Sequence, residues 1–262
     1  MDSLYCPRRN ASEMSFADEG GVSKKLPTFD RMNQLFYTPH IENGFARLDE
    51  EESRHLLTVL RRQVGQRLQL TDGRGFLYAA EITEAGKKYA VARILETTAV
   101  PEPATRLHIA MAPTKQIERF EWFLEKAAEI GISAITPLLC RRSERTAIRH
   151  DRLEKVLVSA MKQSLQSRLP RLHPLTPFGQ LVQQATEPGR FIAWCADAPL
   201  PHLKMLLRPG VDTLVLIGPE GDFAPEEIEW AEKHNFTGVS LGPTRLRTET
   251  AGLLAVATFS TL

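Results

Sequence analysis

The chain has 262 residues, with 33 Lys and Arg against 32 Asp and Glu and a formal net charge of +1. That length holds one large or two ordinary domains, and near-neutrality means that any nucleic-acid surface has to be local. Cys6, Cys140 and Cys195 are odd in number and widely spaced, with no metal-ligand pattern around them. They read as reduced thiols of a cytoplasmic protein, and no apolar run reaches the length of a membrane span.

Residues 1–31 are rich in Ser, Gly, Asp and Lys and lack helical or strand periodicity. They read as a poorly ordered extension, and with Arg8, Arg9 and Glu13 but no apolar core they make no secretory signal. From Leu35 to about Thr97 short strands dominate. Gln66–Leu70, Gly75–Ile82 and Tyr89–Leu95 are separated by the hairpin signals Asp72-Gly73 and Gly86-Lys87. Ahead of them, Glu51–Arg61 carries Leu56, Leu57 and Leu60 at helical spacing. A compact β-barrel with a short helix is the natural reading. His55 reads as a structural histidine. Arg61 and Arg62 either contact phosphate or sit on a solvated face balanced by Asp49, Glu50, Glu51 and Glu52.

Val100-Pro101-Glu102-Pro103 marks a linker, because two prolines without donor N–H groups end the barrel. Strands and helices then alternate. Arg106–Ala112 is a strand stopped by Pro113-Thr114-Lys115. A helix follows with Phe120, Phe123, Leu124, Ala127 and Ala128 on one face, closed by Gly131. Ala134–Cys140 is a strand, Leu153–Ser167 a helix, and Phe191–Cys195 a strand. Thr213–Ile217 is an apolar strand running into Gly218-Pro219-Glu220-Gly221-Asp222-Phe223. The next helix begins near Pro225, with Glu226 and Glu227 at its start and Lys233 and His234 at its end. Gly238–Leu241 is a strand that leads through Gly242-Pro243 to an apolar terminal helix, Ala251–Phe259. This order implies a parallel sheet with helices on both faces, and two Gly-Pro turns after strands point to a ligand beyond the strand C-termini.

Between Arg141 and His173 lie Arg141, Arg142, Arg145, Arg149, Arg152, Lys155, Lys162, Arg168 and Arg171, against Glu144, Asp151 and Glu154. Such a stripe suits phosphate contacts, or a solvated helix face with internal pairs such as Asp151 with Lys155.

Ile217-Gly218-Pro219-Glu220-Gly221, then Leu241-Gly242-Pro243 and Leu246-Arg247-Thr248-Glu249-Thr250-Ala251, resembles the bacterial 16S rRNA uridine N3-methyltransferase family (RsmE) of the SPOUT class. Lys115-Gln116-x-x-Arg119-x-Glu121-Trp122 and Glu129-Ile130-Gly131-Ile132 fit the same family, and the similarity runs from Met32, read as the native start, to Leu262. Two positions depart from the family pattern: Arg168 lies further downstream than usual, and Arg245 follows the usual basic slot, which is Thr244 here.

The resemblance implies a SPOUT-type knotted α/β domain over 104–262, preceded by a PUA-like β-barrel that binds RNA over 32–99. It also implies a homodimer that acts on 16S rRNA or the 30S subunit with S-adenosyl-L-methionine. Cofactor contacts are then expected from Ile217, Gly218, Glu220, Gly221, Leu241, Gly242, Leu246 and Thr250, and RNA contacts from Arg61, Arg62, Lys115, Arg119, Arg141, Arg142, Gln163 and Arg168. Methyl transfer to uridine N3 requires loss of the N3 proton. Glu249 is the candidate acceptor, and Arg247 either stabilises charge on a uracil carbonyl, orients Glu249 or binds phosphate. A SPOUT methyltransferase for another rRNA or tRNA nucleotide and a non-catalytic RNA-binding relative are the alternatives.

Overall fold

The computed structural model describes residues 34–262, so the extension over 1–31 and the start at Met32 lie outside the described residues. The first part comprises β1 (Leu35–Tyr37), β2 (Ile41–Glu42), β3 (Phe45–Leu48), α1 (Glu50–Arg54), β4 (Arg67–Thr71), β5 (Phe76–Ala85) and β6 (Ala90–Ala99). Its sheet runs β1-β4-β5-β6-β3-β2, antiparallel except for β1 with β4. The path begins at β1 and ends at β2, yet only Thr38-Pro39-His40 joins those two strands. Four Cα steps reach about 15 Å. A flat sheet with five strand gaps would be about 24 Å wide. The sheet therefore curls on itself, and Thr38 stitches the seam: its N–H donates to Thr71 O (3.0 Å) and its hydroxyl to Arg47 O (2.6 Å).

The helix expected over Glu51–Arg61 comes in two pieces. Asp49 caps α1 by accepting from Glu52 N at 2.8 Å, and a π turn then spans His55–Val59. Arg61, at φ +54°, adopts a left-handed conformation that cannot continue a helix, and it ends the element. His55 packs against Phe36 with ring centroids 5.7 Å apart, a structural role. The strands β1, β2 and β3 are too short to leave a periodic signal, and none had been located individually from sequence.

The second part comprises β7 (Leu107–Met111), α2 (Ile117–Ile130), β8 (Ala134–Leu139), α3 (His150–Gln163), β9 (Arg171–Leu172), β10 (Thr176–Pro177) and α4 (Phe178–Gln184). It continues through β11 (Gly189–Ala193), α5 (Leu203–Leu206), β12 (Thr213–Ile217), α6 (Pro225–Lys233), β13 (Thr237–Val239) and α7 (Thr248–Phe259). All its strand pairs are parallel, in the order β10-β8-β7-β12-β11-β13, with β9 also on β8. Side chains alternate between two cores. Leu107, Ile109, Met111, Val215 and Ile217 face α2, α3 and α7; Ala110, Ala112, Leu214 and Leu216 face the side of α4 and α6. Burial on both faces explains the unbroken apolar runs of these strands.

Two boundaries move enough to matter. The terminal helix starts at Thr248, three residues before Ala251, which places Glu249 in its first turn. Helix α3 starts at His150 and stops at Gln163, where Leu153–Ser167 had been expected. Ser164 turns its hydroxyl onto Ala160 O (2.7 Å) and Leu165 takes φ +58°, so the chain leaves the helix there. It then folds back onto the curled sheet. Gly75 N donates to Ser167 O and Leu169 N to Gly73 O, both at 2.9 Å, and Thr71 Oγ1 donates to Ser167 O at 3.1 Å. The Arg168 guanidinium donates to Arg74 O (3.0 Å) and Val100 O (2.7 Å), and Lys162 pairs with Glu52. A Cβ on Gly75 would lie 2.3 Å from Arg168 Cζ, so only glycine lets the guanidinium cross there.

Candidate active site

The C-terminal ends of β7, β11, β12 and β13 lie side by side, and the loops that leave them build the site. After β12 the chain turns at once: Asp222 N donates to Pro219 O at 2.9 Å, and Asp222 sits at φ +60°. Asp222 fixes the turn through both carboxylate oxygens, accepting from Phe223 N (2.8 Å) and from Cys195 N (2.9 Å) after β11. The hydrogen bond to Cys195 ties the β11 and β12 loops together. Sequence reading placed Cys195 in a strand and gave it no part here; only the strand order brings it beside Gly218–Phe223. Gly218 has no room for a side chain, since a Cβ would come within 3.1 Å of the Phe223 ring.

Several charged residues expected at ligand or RNA contacts make hydrogen bonds within the protein around this loop. Glu220 turns its carboxylate to Lys115 N (3.0 Å), joining the β12 loop to the segment after β7. Arg142 donates from Nη1 to Gly221 O (2.8 Å) and Phe223 O (3.2 Å). Arg145 reaches Thr114 O (3.1 Å) and Lys115 O (2.6 Å). Arg141 N donates to Glu227, whose other oxygen accepts from Ala224 N at the start of α6. Lys115 itself pairs with Glu144 at 2.7 Å on the surface, and the hydrogen bond to Glu144 holds its ammonium above the usual pKa. Guanidinium groups are well suited to such work because several donors in one plane span adjacent carbonyls.

The loop after β13 is held by Ser240, whose hydroxyl both accepts from Gly242 N and donates to Gly242 O, each at 3.1 Å. Gly242 has φ +136° and no atom within 4 Å of where a Cβ would stand, so its main chain borders open space. Leu241 and Leu246 are half-buried on this loop, and Thr250 is exposed on α7. Arg247 is the N-cap residue of α7. Its side chain is exposed and forms no ion pair or hydrogen bond among the described residues. Glu249, in the first turn, is 8% exposed. The cation facing it is Arg119 of α2, with Nε 3.9 Å from Oε1.

Helix α7 is seated closely enough to fix these groups. A Cβ on Gly252 would meet Met111 Sδ at 2.7 Å and Phe123 Cε2 at 2.8 Å, so this residue sets how near the helix approaches β7 and α2. The other residues expected to touch RNA lie away from the loops. Arg61 and Arg62 end the π turn, Gln163 is exposed at the end of α3, and Arg168 is committed to the joint with the curled sheet.

A family model described as an RNA methyltransferase domain matches residues 101–260, and one described as an RNA methyltransferase PUA domain matches residues 48–95. The ribosomal RNA small subunit methyltransferase E of Mycobacterium bovis is 30% identical over 243 residues, covering 87% of this chain and 91% of its own. A probable rRNA-methyltransferase from Porphyromonas gingivalis superposes with a TM-score of 0.82 at 42% identity, over 87% of this chain and 97% of that one. A ribosomal RNA small subunit methyltransferase E from Neisseria gonorrhoeae, solved with S-adenosyl methionine bound, gives 0.78 at 27% identity over 87% and 97%.

Proposed function

The chain belongs to the RNA methyltransferase family with an N-terminal PUA-type domain, and we propose that it methylates N3 of a uridine in 16S rRNA, with S-adenosylmethionine as methyl donor. The observation that carries this reading is that both Gly-Pro loops leave the C-terminal end of the parallel sheet, the second running past the open main chain of Gly242 directly into the first turn of α7 with Arg247 and Glu249.

The residues fit the cofactor. Bare backbone at Gly242 borders open space, and the Gly218 turn is braced from Arg142, Asp222 and Glu220 independently of any ligand. Ile217, Gly218, Gly221, Leu241, Gly242, Leu246 and Thr250 would hold it, largely through main-chain groups, while Glu220 acts by fixing the loop. When bound, S-adenosylmethionine supplies an electrophilic methyl group on a sulfonium. The protein has to hold uracil N3 in line and take its proton. Glu249 accepts that proton from its place in the first turn of α7. Arg247 has no side-chain partner among the described residues and lies at the start of the same helix, so its guanidinium can meet the charge that moves onto a uracil carbonyl as N3–H is lost. Arg119 orients the Glu249 carboxylate. Positioning of the base carries much of the remaining acceleration.

The knotted chain path and a homodimer belong to the same reading. From β13 at the sheet edge the chain returns to pack α7 against β7, β12 and α2. Beyond Glu249, α7 carries no charged residue, and Leu253, Leu254, Ala257 and Phe259 are only half-buried in one copy. A second copy covers such a face. Among the described residues no helix is long and apolar enough to cross a membrane, which is compatible with the cytoplasmic setting proposed here.

The test is methyl transfer to unmodified small subunits by wild type and Glu249→Gln. Label at a single uridine N3, abolished or strongly slowed in the variant, is expected. Full activity of Glu249→Gln would remove it as the base.

A further inference from the structure

A groove of about 310 Å³ lies between the curled sheet and the parallel sheet, bordered by Tyr37, Arg74, Glu154, Leu169, Pro170 and Arg171 among others. Its walls are preorganised. The turn Gly73–Gly75 and the strand-like segment Ser167–Leu169 are joined by paired main-chain bonds, and Arg168 locks both to the start of the linker. Gly73 is pressed between Leu169 and the Tyr37 ring, each 3.1 Å from where its Cβ would stand.

Charge in the groove is arranged in an unusual way. Asp72 is spent internally, accepting from Arg74 N (2.8 Å) and the Tyr78 hydroxyl (3.1 Å). Nearby, Lys162, Lys155 and Arg168 are paired with carboxylates or carbonyls. By contrast, the guanidinium groups of Arg74 and Arg171 and the carboxylate of Glu154 are exposed and bond to no side chain or carbonyl among the described residues. Two free guanidinium groups above a wall of Leu169, Pro170 and Leu172 suit a phosphate and an apolar ring face at once. The free carboxylate suits a ribose hydroxyl or a base N–H.

We propose that this groove binds one unpaired nucleotide of the substrate RNA, its phosphate held by Arg74 and Arg171 and its sugar or base edge by Glu154. The site lies apart from the methyl-transfer loops, and because it spans both sheets it registers the RNA against the catalytic part. This inference rests on the proposed RNA substrate, but the binding measurement does not depend on methyl transfer.

The experiment measures filter binding of unmodified 16S rRNA transcript to the full chain at several salt concentrations, for wild type and Arg74→Ala/Arg171→Ala. Both residues are exposed, and the variant's Tm and its affinity for S-adenosylmethionine are expected to match wild type. RNA affinity should fall about tenfold and the salt slope by about two units, as loss of two phosphate contacts predicts. Glu154→Gln should weaken binding without changing the slope. Unchanged affinity and slope in the double variant, with methyl transfer intact, would overturn the groove and leave the methyltransferase reading standing. Arginine-dependent RNA binding without any methyl transfer would do the reverse. If the arginines govern binding of uridine 5′-monophosphate but not of the transcript, the site serves a free nucleotide and the proposal is wrong.

Discussion

The two ends of the parallel sheet both carry clustered polar groups, and they differ in whether those groups are finished. Toward the N-terminal ends, His108 on β7 is bonded through Nδ1 to Glu187 (2.8 Å) and through Nε2 to Thr136 Oγ1 (2.7 Å), with His173 packed at 5.3 Å. Hydroxyl, imidazole and carboxylate in a row resemble a nucleophilic relay. Yet Thr136 is 1% exposed, and both ring nitrogens of His108 have partners inside the protein. The cluster is a structural tie between β7, β8 and the approach to β11. At the C-terminal ends the loop is braced with equal care, but Arg247 has no side-chain partner among the described residues and Glu249 stands in the first turn of α7. The two ends differ in what the protein leaves unpaired, more than in which residue types they gather.

Substitutions should separate the two ends. The largest effect is expected at Glu249→Gln, with kcat falling about 10²–10⁴-fold while Tm and cofactor affinity hold, as loss of a general base predicts. Single-turnover methylation and a thermal melt together read this. At the opposite end, His108→Ala should leave kcat within about twofold and cost about 1–3 kcal/mol of stability by leaving the buried Thr136 hydroxyl and Glu187 without their partner. If His108→Ala lost activity in a fully folded protein, the contrast between the two ends would fail.

Gly252→Ala probes the seating of α7. The added methyl group has to displace Met111 or Phe123, for a cost of about 1–3 kcal/mol by denaturant unfolding, together with a raised KM as the first turn shifts. No change in either quantity would mean that the helix position is slack.

The smallest effect concerns pH. The hydrogen bond from His108 holds the Glu187 carboxyl well below its usual value, at about 2. A folded pKa lowered in this way contributes stability that is full above the unfolded pKa near 4.5 and is lost as pH falls toward 2. Burial lowers the pKa of His173, which adds in the same direction as pH drops through the range just below 6.5. Glu187→Gln should therefore be less stable than wild type at pH 7, by on the order of 1 kcal/mol given its partial exposure, and the difference should shrink below pH 4. A constant difference across that range would show that Glu187 is not titrating against the fold.

The same contrast explains what was legible in the sequence. The Gly218 and Gly242 turns, Arg247 and Glu249 lie within one continuous stretch whose chemistry is local, and the alternation of strands and helices declared the parallel sheet. Residues that act across the chain could not be read that way. Glu52 and Lys162 are 110 positions apart, and Arg168 bonds to carbonyls of Arg74 and Val100. Arg142 and Arg168 entered as candidate RNA contacts because a run of arginines looks alike whether its charges face phosphate or the protein's own carbonyls. Only the strand order could show that Cys195 adjoins Asp222, and that Arg119, on a helix far upstream, faces Glu249.

The decisive measurement of uridine N3 methylation is to incubate the protein and labelled S-adenosylmethionine with small ribosomal subunits that lack this modification, then map the label by nuclease digestion and mass spectrometry. One N3-methyluridine in 16S rRNA is expected, formed by wild type and strongly diminished with Glu249→Gln. Label at a different position or in a different RNA, or no cofactor binding at all, would contradict it.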